Sequence, residues 1–180
     1  VLIGDGGLTQ RVTFTTADPE ILDYIKLPEG CKVEKLKSAK YAYSITGTKR
    51  EGRHMVNPMK DLVEDLGLMY KKSDKKVIPQ KYLYGSVKQR MELLRGLMDT
   101  DGYISKKGNI EFSVSNKKLV YQVKQLCESL GIRCSLSVRQ TACLDNFRLK
   151  ILTSKEIFRL KRKLDRLNTN PSKYAKTNRE

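Results

Sequence analysis

Apolar residues recur along this chain at two spacings, one helical and one alternating. From Gln89 to Gly102, Met91, Leu94, Leu97 and Met98 keep helical spacing, and Gly102 stands where a helix would stop in a left-handed residue. Gly96 and Thr100 lie four apart, which makes one face of that helix flat enough for a second backbone to approach. Alternation predicts strands over Arg11 to Thr16, Lys32 to Ser38, Tyr41 to Thr46, Asn109 to Ser115, Arg133 to Arg139 and Phe147 to Leu152, the last two joined by a turn at Cys143 to Asn146. Asp18-Pro19 predicts a helix start, with Asp as cap and Pro at the first helical position. Asn57-Pro58 opens another helix, with Met59, Leu62, Val63 and Leu66 as its inner stripe and Gly67 as its stop. Tyr82 to Tyr84 reads as a short helical turn before Gly85-Ser86 caps the long helix. Leu119 to Leu130 is amphipathic and stopped by Gly131, and a last helix is expected over Ile157 to Leu167. Gly47 to His54 reads as a basic loop.

The pattern is duplicated. Val1-Leu2-Ile3-Gly4-Asp5-Gly6 ends as the long helix does, and aligning Asp5 on Asp101 brings the following strand and helix of each copy into register: Val12 and Phe14 with Ile110, Phe112 and Val114, then Ile21, Leu22 and Ile25 with Leu119, Val120 and Val123. Each half reads αββαββα, an α+β arrangement, with halves at 1–70 and 86–167, a linker at 71–85 and a polar tail at 168–180.

Charge narrows the partners. The 36 Lys and Arg against 20 Asp and Glu give +16, a field suited to a polyanion, and nucleic acid is the expected one. No run reaches transmembrane length and none resembles a signal peptide, so no membrane partner is expected and the site of action is read as cytoplasmic. Cys31, Cys127, Cys134 and Cys143 form no C-x-x-C pair and His54 is the only histidine. Packed free thiols are expected in place of zinc or disulfides.

The segment from Leu94 to Gly102 resembles the nine-residue signature of the LAGLIDADG, or dodecapeptide, homing endonucleases, and Ile3 to Gly6 resembles the end of a first copy. Lys76 to Pro79 is similar to the block between the copies in intein-embedded members, and Phe158 to Lys163 to their closing segment. The resemblance implies a pseudo-symmetric saddle in which two signature helices pair centrally and two antiparallel four-stranded sheets cover the DNA major groove. It also implies cleavage of both strands of double-stranded DNA at a long target by a monomer, with magnesium as cofactor and manganese as a substitute. Residue by residue it assigns Asp5 and Asp101 as metal-binding acids, the carbonyls of Gly4 and Thr100 as backbone ligands, and Lys76 as a lysine near the scissile phosphate.

The chemistry asks for the same parts. Each cut needs water made nucleophilic near neutral pH, which divalent metals on hard oxygen ligands provide. A basic residue near each acid would stabilise the transition state. Lys76 is the candidate in one half, and Lys150 or Arg148 in the other. Asp99 reads as structural, because the first copy has Ile3 there. DNA contacts are expected from Gln10, Arg11, Lys35, Lys37, Lys49, Arg50, Arg53, Arg133, Arg139, Gln140 and Arg148.

Two further readings complete the expectation. The first signature is a stub too short to nucleate a helix, and the chain starts without a nucleophilic Cys or Ser, so it reads as the nuclease insert of an intein within a longer protein. The alternative is a DNA- or RNA-binding protein without cleavage, a regulator or maturase-like relative. Acids facing phosphate would repel it, and retention of both Asp5 and Asp101 favours the nuclease.

Overall fold

The computed structural model describes residues 1–37, 39–140 and 145–167. They divide into two compact units, Val1–Lys76 and a second that begins at Val77. The stretch expected as a linker is therefore shared: 71–76 ends the first unit and 77–85 opens the second.

The first unit runs β1 (Gly6–Gly7), β2 (Thr13–Thr15), α1 (Glu20–Tyr24), β3 (Cys31–Lys35), β4 (Ala42–Gly47), β5 (Lys49–Glu51), β6 (His54–Val56) and α2 (Pro58–Asp65), followed by a single 3-10 turn at Ser73–Lys75. Four strands form an antiparallel sheet in the order β1-β2-β4-β3. Leu8, Val12, Phe14, Ile45, Met59, Val63, Leu68 and Met69 pack between it and α2 as the core. Phe14 stacks on Tyr43 across the sheet at 5.4 Å. α2 starts where the sequence predicts, because the Asn57 carboxamide accepts the amides of Met59 and Lys60 while its NH2 donates to the Ile45 carbonyl at 2.9 Å.

Two expectations in this unit are corrected. α1 begins at Glu20 with Pro19, not Asp18, at its cap position, and the Asp18 amide donates to the Thr16 hydroxyl at 3.1 Å. Residues 47–54 are not a loop, since most of them build the antiparallel β5–β6 hairpin, with Arg50 opposite Met55 and Glu51 opposite His54.

The second unit runs α3 (Gln80–Leu83), α4 (Val87–Thr100), β7 (Gly102–Ile104), β8 (Ile110–Val114), α5 (Lys117–Ser129), β9 (Arg133–Arg139), β10 (Asn146–Leu152) and α6 (Lys161–Leu164). Its sheet order, β7-β8-β10-β9, repeats that of the first unit. The register repeats as well: Gly6 faces Phe14 in one sheet and Gly102 faces Phe112 in the other. Ser86 and Gln89 close a reciprocal capping box at the start of α4, and Asn116 caps α5.

The expected helix over Ile157 to Leu167 shrinks to Lys161–Leu164. Just ahead of it the Asp99 carboxylate accepts the amides of Arg159 and Leu160, which holds this stretch outside the helix. Ile157, Phe158 and Leu160 are buried all the same, outside any helix or strand. Half of the expected turn at Cys143 to Asn146 (Cys143 and Leu144), the tail 168–180 and Ser38 lie outside the described residues. Among the described residues no helix is long and apolar enough to cross a membrane.

Candidate functional site

The last turn of a helix carries carbonyl oxygens with no partner inside the helix and the negative end of its dipole. In the second unit a buried lysine meets both. Lys163 is 4% exposed, and its ammonium donates to the carbonyls of Met98 at 2.8 Å, Asp99 at 2.7 Å and Gly102 at 2.7 Å. An ammonium has three N–H bonds to give, and three convergent oxygens receive them. The Phe158 ring closes over it, 5.6 Å from centroid to nitrogen. Asp101, half-buried, holds the cap position of α4 directly between these carbonyls in sequence. The Thr100 hydroxyl lies 3.3 Å from the Asp101 carboxylate and turns back toward the Gly96 and Leu97 carbonyls.

The first unit builds the same device. Lys76, 1% exposed, donates to the carbonyls of Leu2, at 3.2 Å, and Gly6. With Asp5 aligned on Asp101, Leu2 matches Met98 and Gly6 matches Gly102, so the two lysines hold equivalent atoms. The glycines explain themselves in the same terms. A Cβ on Gly6 would stand 2.2 Å from the Leu2 oxygen, and one on Gly102 would stand 2.4 Å from the Met98 oxygen. Gly102 is required by this close approach and not by a left-handed backbone, which corrects the sequence expectation. Asp5 is tied to β2, its carbonyl accepting the Thr15 amide at 3.2 Å.

Lys163 was not singled out from sequence, where it read as one cation in a basic run. The available signal was its place between Leu160 and Leu164, both inward, which puts a charge at a position that a solvated lysine avoids. Lys76, expected near a phosphate, is buried against the turn that carries Asp5. Lys150 is exposed on β10, opposite Glu111 and Ser135. Asp99 takes the structural role expected of it. Burial pushes its carboxyl above the usual range, while the amides of Arg159 and Leu160 pull it back.

The carbonyl oxygens of Gly4 and Thr100 accept no hydrogen bond among the described residues, whereas those of Leu2 and Gly6, and of Met98, Asp99 and Gly102, are taken by the lysines. In sequence, Asp5 follows Gly4 and Asp101 follows Thr100. No three His, Cys, Asp or Glu side chains gather into a metal-holding group among the described residues.

Among residues expected to touch DNA, Arg133, Arg139, Arg148 and Lys150 share one face of the second sheet, because the intervening Phe147, Leu149 and Ile151 are buried. Arg148 pairs there with Glu111 at 3.4 Å. In the first sheet Lys35 has the parity of Cys31 and Val33, which pack on the core, while Lys32 and Glu34 occupy the opposite face and pair at 2.7 Å. Gln10, Arg11, Lys37 and Gln140 are exposed in turns beside strands, and Lys49, Arg50 and Arg53 on the hairpin.

Residues 88–165 match the family of LAGLIDADG-like domains. The second half is a LAGLIDADG-like domain. The whole chain has the fold of the LAGLIDADG homing endonucleases. The structure of I-DmoI in complex with DNA and Ca superposes with a TM-score of 0.55 over 88% of both chains at 14% identity. An I-DmoI variant in complex with its target DNA in the presence of Mg gives 0.56 over 84% of each chain at 15% identity. The chain is also 31% identical over 166 residues to the replicative DNA helicase DnaB of Mycobacterium intracellulare, a match that takes in 89% of this chain and 24% of that protein. It spans about a quarter of the length of that relative.

Proposed function

We propose that this LAGLIDADG protein is a site-specific double-strand DNA endonuclease that hydrolyses one phosphodiester per strand, and that it is the nuclease insert of an intein. The observation that carries the reading is the duplicated lysine cradle: Lys76 holds the Leu2 and Gly6 carbonyls on either side of Asp5, and Lys163 holds those of Met98, Asp99 and Gly102 on either side of Asp101. Two strands need two such sites.

In this reading Asp5 and Asp101, with the Gly4 and Thr100 carbonyls, are the residues that would hold magnesium or manganese. A divalent ion held there supplies Lewis acidity and a bound water acidic enough to ionise near neutral pH. Everything else falls to the chain. Lys76 and Lys163 fix the carbonyls around each acid and offset the negative helix end, so that a second negative group, the phosphate, can approach. Lys150, on the exposed face of the second sheet, is the cation placed to meet phosphate from the solvent side. Arg133, Arg139 and Arg148 on that face, with Gln10, Arg11, Lys35, Lys37 and Gln140, contact the duplex.

The intein reading is supported by the helicase match, in which the chain aligns with a minor part of a much longer protein, as an insert does. The testing experiment incubates the protein with a randomised duplex library and magnesium, and sequences the ends. Recovery of one recurrent sequence cut on both strands supports the endonuclease. Retention of a recurrent sequence without cut ends would replace it with a binding protein.

A further inference from the structure

The β5–β6 hairpin belongs to neither four-stranded sheet. Residues 48–55 are all exposed, including the apolar side chain of Met55. Strands of three residues have no core of their own and are marginal in isolation. This ribbon is instead fixed at its base: the Thr48 amide donates to the Gly30 carbonyl at 2.8 Å, and a Cβ on Gly47 would fall on the Val56 oxygen, so the two legs cross in direct contact. Its tip turns at Gly52, whose φ of +59° suits glycine.

The ribbon carries Lys49, Arg50 and Arg53 against Glu51, and no hydrogen bond or ion pair engages those three cations among the described residues. The second unit has no counterpart among the described residues, since β10 passes from Leu152 straight into the buried stretch before α6.

We propose that the β5–β6 ribbon is a DNA-contacting arm of the first unit alone, so that the duplex is covered further on one side of the target than on the other. The inference rests on the DNA-binding reading above and adds its asymmetry. A two-stranded ribbon fits the major groove. Three residues per strand reach roughly 10 Å, about three base pairs beyond the sheet.

The test compares the parent, the triple variant Lys49→Ala, Arg50→Ala, Arg53→Ala, and a charge-matched control, Lys88→Ala, Lys117→Ala, Lys118→Ala. The probe is a mixed-sequence duplex of about 40 base pairs, titrated across salt; each phosphate contact contributes about 0.9 to the slope of log affinity on log salt. The ribbon variant is expected to lose about 2–3 units of slope and the control under about one. All six side chains are exposed, so melting temperatures verify that folding is unchanged. A ribbon variant whose slope equals that of the control overturns the arm while leaving the endonuclease reading intact. A parent that does not bind duplex at all overturns both. On a target recovered from the library, the hydroxyl-radical footprint of the ribbon variant is expected to shorten by about three base pairs on one side only; equal shortening on both sides contradicts the proposal.

Discussion

The Lys163 ammonium stands 2.7 Å from the Gly102 carbonyl oxygen. That bond ties α6 to the point where β7 leaves α4, and it holds Asp101 on the residue in between. Replacing the ammonium by an apolar group of similar length leaves three carbonyls without a donor. Lys163→Met is expected to cost about 2–4 kcal/mol, the sum of lost charge-assisted bonds less the recovered desolvation of the lysine. Urea unfolding measures it. Lys163→Arg is not expected to rescue, because a planar guanidinium does not converge on three oxygens as an ammonium does.

Glycine at the helix exit is a steric requirement. Gly102→Ala puts a methyl 2.4 Å from the Met98 oxygen, a backbone atom that cannot swing aside, and is expected to cost about 1–3 kcal/mol. Gly52→Ala, in open space at the hairpin tip, is expected to lose only the left-handed preference, about 1 kcal/mol. Equal losses at both positions in paired thermal melts would contradict the close-approach account.

Asp99 links stability to pH. Burial raises its carboxyl pKa, so the folded protein holds this proton more tightly than the unfolded chain does. Its contribution is therefore largest in acid and declines as pH climbs from the ordinary carboxylate value through the raised one. Asp99→Asn removes that decline, and urea midpoints across the acid range are expected to flatten relative to the parent. A variant profile that keeps the parental slope would assign the slope to another group.

Gln122 reaches from α5 to Ile78, accepting its amide at 2.8 Å and donating to its carbonyl at 2.9 Å. Gln122→Ala leaves both groups of a buried residue unmet, at about 1–3 kcal/mol for each orphaned group. Hydrogen exchange at the Ile78 amide is expected to accelerate by at least about tenfold, the kinetic equivalent of 1.4 kcal/mol.

The elements that sequence made legible are those whose signal is local. Asn57, Ser86 and Asn116 cap helices because their side chains reach amides two or three residues on, and the strands of both sheets alternate because one face is buried. What escaped was set by contacts across long separations. The closing helix looked continuous from Ile157 to Leu167, yet Asp99, about sixty residues earlier, captures two amides near its start. Lys163 looked solvated for the same reason, since the carbonyls that bury it belong to the end of α4 and the start of β7. Asp5 and Asp101 were legible only as a pair, because either Asp-Gly alone reads as an ordinary helix stop.

We propose that Asp5 and Asp101 each hold the ion needed to cut one strand. It is tested most directly by strand-resolved cleavage of a library-recovered target in magnesium, comparing the parent with Asp5→Asn and Asp101→Asn. Each variant is expected to lose cleavage of at least one strand while binding the duplex with similar or higher affinity. A variant that linearises the target at the parental rate would contradict the claim.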